Sequence, residues 1–106
     1  INLLSDSRVG EISLSDNSKI RTLNMSENSS TDLVMHDNSK AGLQTSNEAV
    51  LRDVYVSSGS EIDSYRGNFF QSPGKHMIHG DVPREFRNII EANEFFYGLK
   101  PTDSEF

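Results

Sequence analysis

A chain of 106 residues with no cysteine and a formal net charge of −6 has room for one domain or for a segment of something longer. Without thiols there are no disulfides, thiolate nucleophiles or sulfur-ligated zinc, and a negative balance with no cluster of Lys or Arg argues against nucleic acid or an anionic membrane as partner. Hydrophobic residues make up 34% of the chain, so a conventional globule would have a thin core.

From the first residue the chain repeats itself. INLLSDS from Ile1, ISLSDNS from Ile12, LNMSENS from Leu23, LVMHDNS from Leu33, LQTSNEA from Leu43 and VYVSSGS from Val54 share an apolar residue, any residue, a second apolar residue and then a polar run, with Thr45 in the second apolar place of the fifth unit. Two apolar residues separated by one put both side chains on the same face of a short strand. Asp16-Asn17-Ser18, Glu27-Asn28-Ser29 and Asp37-Asn38-Ser39 are turn formers. Each unit therefore predicts a strand of about four residues followed by a corner.

Such units can form an antiparallel meander or sandwich, a single-chain β-solenoid, or a trimeric β-helix in which each of three chains supplies one side of a prism. A meander gives no reason for the same corner chemistry to recur. In a stack, equivalent positions lie about 4.8 Å above one another and like residues form ladders, so repetition has a cause. Stability summed over neighbouring turns also suits a small core. The expected fold is mainly β, a stacked short-strand fibre-like repeat over residues 1–64. The trimeric form is preferred, with Ile12, Leu14, Leu23, Met25, Leu33, Met35, Leu43, Val54 and Val56 facing the axis.

This texture, including the run Val54-Tyr55-Val56-Ser57-Ser58-Gly59-Ser60, resembles the shafts of bacteriophage tail fibres and tailspikes. The resemblance implies an intertwined homotrimer on a virion, outside the cell, that presents a receptor-binding surface to a host receptor or joins another virion protein. The chain has fewer Gly than many shafts, and its last third differs.

Residues 65–106 are expected to form a loop and a small helical cap. Ser72-Pro73-Gly74 is a turn signal, and His79-Gly80-Asp81 a weaker one. Pro83 suits a first helical position and Glu85 the first turn, while Gly98 and Pro101 mark an end, which predicts a helix over 83–97. Val82, Phe86, Ile89, Ile90, Phe96 and Tyr97 form its apolar stripe. The segment from Glu91 to Pro101 is also similar to the final helix of BTB-type oligomerisation domains, which would imply a globular α+β interaction module instead.

Chemistry is sparse. His76 and His79 are the candidates for a metal ion, but a site needs further ligands, and the plainer reading is a pair of exposed loop histidines, with His36 far off in the repeat. Asp32 with Asp37, or Glu61 with Asp63, could serve a carbohydrate-cleaving tailspike, although solvated corner residues are the plainer reading. Asn24-Met25-Ser26 and Asn28-Ser29-Ser30 fit the glycosylation pattern that a Ser/Asn-rich chain also makes by chance. No phosphate loop or nucleophile elbow is present, nor an apolar run able to span a bilayer, so the expectation is a structural and adhesive protein with no catalysis, cofactor, nucleic acid or membrane insertion.

Overall fold

A computed structural model describes residues 1–46, 48–67, 70–71 and 75–92 of the chain. The repeat forms strands β1 (Asn2–Leu3), β2 (Ile12–Leu14), β3 (Lys19–Met25), β4 (Ser30–Met35), β5 (Lys40–Thr45), β6 (Val50–Val56) and β7 (Glu61–Gly67). They are followed by β8 (Phe70–Gln71), β9 (His76–Ile78) and the helix α1 (Arg84–Glu91). One sheet has the strand order β1-β3-β5-β7, and β2-β4-β6 form a second, in which β8 and β9 both pair with β6.

Every strand pairing is parallel, which excludes the meander. Leu23 pairs with Leu43 and Asn2 with Asn24, so partners lie 20 to 22 residues apart and two sequence units make one turn. The result is a β-solenoid of about three turns.

The stacking register sorts the apolar pairs into columns. Ile12, Leu33, Val54 and His76 form one and Leu14, Met35, Val56 and Ile78 another on the second sheet; Leu23, Leu43 and Tyr65 align on the first. Leu14, Leu23, Met25, Leu33, Met35, Leu43, Val54 and Val56 are buried, and Ile12, in the first turn, is half-buried. One chain supplies both sides of each turn and closes the core by itself, so burial of these side chains does not require the three-sided prism.

Strands β3 to β6 are longer than the four residues anticipated because each gains an arm before the repeat's first apolar residue, with Ile20, Thr31, Ala41 and Leu51 buried in those arms and Ile62 in the equivalent place of β7. A register shift between the arms, at Ile20/Leu23, Thr31/Leu33 and Ala41/Gly42, bends each strand around the core. On the second sheet aspartates bind the backbone at these bends. The Asp53 N–H donates to Asp32 Oδ1 at 3.2 Å, and the Lys75 N–H to Asp53 Oδ1 at 2.8 Å.

Corners need backbone that most residues avoid. Asp16, Asn17, Asn28, Asp37 and Asn38 all have φ between 55° and 64°, the left-handed region in which Asp and Asn are enriched. Gly59 takes this place in the third turn at φ 89°, where a Cβ would run into the Asn38 side chain above it. The serine ending each corner folds back: the hydroxyls of Ser18, Ser29 and Ser39 donate to the carbonyls of Ser15, Ser26 and His36. Ladder bonds continue around the bend, with the Asn17 N–H on the Asp37 carbonyl at 2.9 Å, so corner polar groups are met by the neighbouring turn.

The last turn is covered by α1. Phe86 and Ile90 are fully buried, Val82 and Ile89 half-buried, and the Phe86 ring meets Tyr65 edge-on with centroids 5.3 Å apart. Burial of this kind is worth roughly 1.5–3 kcal/mol per large apolar side chain. Pro83 sits one place earlier than expected, at the N-cap with φ −60° and ψ 149°. Phe96, Tyr97, Gly98 and Pro101 lie outside the described residues. Gly80 links the last strand to the cap so closely that a Cβ would overlap the Ser60 carbonyl.

Candidate functional site

One surface hollow is a groove of about 470 Å³ beside the first corner, lined by Asp6, Arg8, Asn28, Ser30, Val50 and Arg52. The repeat builds it. Arg8 bridges to Ser30 and Ser30 pairs with Val50, so three successive turns contribute one residue each to a column at the start of the second sheet. Asp6 and Asn28, both at positive φ, flank that column from the corner, and Val50, half-buried, supplies apolar floor.

Arg52 is held rigidly. Its Nε–H donates to Asp32 Oδ1 at 3.0 Å, Nη1 to Ser30 Oγ at 3.3 Å, and Nη2 to the carbonyls of Val9 and Gly10 at 2.9 and 3.1 Å. A guanidinium has five N–H donors, so one on Nη1 remains for the groove. Arg8 is exposed, and neither its guanidinium nor the Asp6 carboxylate has an ion-pair partner or side-chain hydrogen bond among the described residues. Two opposite charges thus line one hollow without neutralising each other.

Another hollow, of about 380 Å³, lies on the first sheet between Lys19, Ile20, Arg21 and Asp63. Beside it Lys40 and Glu61 form an exposed ion pair at 3.6 Å, of the kind that adds little to stability.

The histidines are not exposed loop residues. His76 occupies the inward column below Val54 in β9 and is fully buried, and His79 is buried at the following corner. Burial lowers the pKa of both rings; at His76 the Asp53 carboxylate opposes that shift in part. His36 also comes near, because Tyr55 lies between the two: its ring centroid is 5.3 Å from His36 and 6.2 Å from His79. Among the described residues no group of three or more His, Asp or Glu is placed to hold a metal ion.

Asp32 serves the bend and Arg52, Glu61 faces Lys40, Asp37 sits at a corner with positive φ and Asp63 lines the hollow on the first sheet. Asn24 donates its amide to Asn2 Oδ1 at 2.7 Å along the first sheet, and Asn28 stays exposed at its corner. Sequence reasoning missed the groove. Its one available signal was the 22-residue interval from Arg8 to Ser30, meaningful only once two units are known to make a turn.

No helix among the described residues is long and apolar enough to cross a membrane. No protein-family model, no curated protein and no solved structure matches the chain.

Proposed function

We propose that this chain is a structural and adhesive segment of a fibre-like assembly, of the kind found on virions, which acts outside the cell and presents a binding surface to a receptor. The observation that carries the reading is the in-register parallel stack with the same corner repeated, a geometry that extends along one axis and displays side chains in straight columns. Its function is reach and display, and no catalytic role is assigned. In this reading three copies associate side by side through their outer surfaces, since each copy already encloses its own core. Light scattering at micromolar concentration tests it: a mass near three times 11.9 kDa is expected, and a stable monomer overturns the trimer.

A second reading has its own support. A chain that closes its own core and caps one end can serve as a self-contained interaction module, and reversible two-state unfolding of a monomer would favour that reading.

A further inference from the structure

The geometry points to the groove of Asp6, Arg8, Asn28, Ser30, Val50 and Arg52 as a binding site for a carboxylate that carries neighbouring hydroxyls, the chemistry of a sugar acid. The inference deepens the reading of the chain as a presenter of a binding surface and rests on it. A carboxylate satisfies the cationic side: Arg8 offers a complete guanidinium fork and Arg52 its remaining Nη1 hydrogen, and charge-assisted pairs of this geometry are the strong hydrogen bonds of protein surfaces.

Asp6 decides the rest of the ligand. Its carboxylate accepts hydrogen bonds and donates none at neutral pH, so it repels a bare anion and favours one whose scaffold brings a donor beside the charge. A phosphate dianion meets that repulsion in full. A hydroxylated ring can donate to Asp6, exchange hydrogen bonds with the Asn28 amide and Ser30 hydroxyl, and lay its C–H face over Val50. Few polar groups around an apolar floor is the common pattern of small-ligand sites. The rigidity of Arg52, fixed by four acceptors on the two preceding turns, means that little side-chain order is lost on binding.

The test is a titration of the isotopically labelled 106-residue chain followed by amide NMR shifts, with glucuronate, glucose, acetate and inorganic phosphate as probes. Glucuronate is expected to move the amides around Arg8, Ser30 and Val50, with glucose, acetate and phosphate each at least tenfold weaker. Arg8→Gln, an exposed change that leaves the core intact, is expected to weaken glucuronate at least tenfold, and Lys40→Gln on the other sheet to leave it unchanged. No shift at these amides, equal binding of any other probe, or an unaltered affinity in Arg8→Gln overturns the assignment. Light scattering on the same samples keeps the outcomes separate: a trimer that ignores glucuronate refutes the groove alone.

Discussion

Leu33→Ala measures how a turn inside the stack is held. Leu33 has no exposed surface; it lies in register between Ile12 above and Val54 below. Truncation removes three carbons from a site whose neighbours are fixed by ladder bonds on both sides, so the cavity cannot collapse. A loss of about 3–4 kcal/mol is expected, within the range for Leu truncation in closed cores. Leu14 is the comparison. It has the same chemistry and the same sheet but lies in the first turn with 8% of its surface exposed, and only Met35 is stacked on it. Leu14→Ala should cost about 1–2 kcal/mol, since part of its burial and one neighbour are already missing. Urea denaturation followed by circular dichroism reads both, with a common m-value. Against a typical total of about 5–15 kcal/mol, Leu33→Ala should lower the midpoint markedly. Equal losses at the two positions, or a loss below about 1 kcal/mol at Leu33, would refute the claim that stability resides in contacts between successive turns.

Asp32→Ala removes the acceptor shared by Arg52 Nε and the Asp53 N–H and should cost about 1–3 kcal/mol, whereas Glu61→Ala, which breaks only the exposed pair with Lys40, should cost less than about 1 kcal/mol; denaturant midpoints compare them. Gly80→Ala should be among the most damaging single changes, because the new methyl group meets the Ser60 and Ser57 carbonyls, and thermal melts should show a large fall in Tm. His76 gives the pH dependence. Its folded pKa lies below the ordinary 6.5, so the unfolded chain binds more protons as pH falls through 6.5, and stability, complete above that value, declines until the lowered folded pKa is passed. Denaturation midpoints for His76→Gln should be flatter across that window, and an identical slope would exclude His76 as the source.

The parallel stack was legible because the alternation of Leu23 with Met25 and Leu33 with Met35 fixes a strand, and the recurring Asp-Asn-Ser corner fixes where it bends. The cap was legible in part: Glu85, Phe86 and Ile90 carry a helical pattern wherever the chain places it. Strand length was not. The inward residues of the added arms include Thr31, which carries no apolar signature of its own, and the small Ala41, which carries a weak one, and both are buried because the corner delivers them to the core. His76 was misread for a related reason. It follows a turn signal and is polar, yet it pairs with Val54 in a column whose other members are aliphatic. The groove depends entirely on the length of a turn, a property of how units pair rather than of any one unit, so Arg8, Ser30 and Val50 become neighbours only after the chain has wound.

The constant interval of 20 to 22 residues between ladder partners has a kinetic consequence. Parallel sheets ordinarily form slowly because segments far apart along the chain must find each other. In this molecule the loop to be closed is one circuit, whichever strand is being added, so its entropy cost is the same at each step. Once a first pair of circuits has formed, growth proceeds as a zipper, and a longer coil of this design would need more steps without any one of them becoming slower.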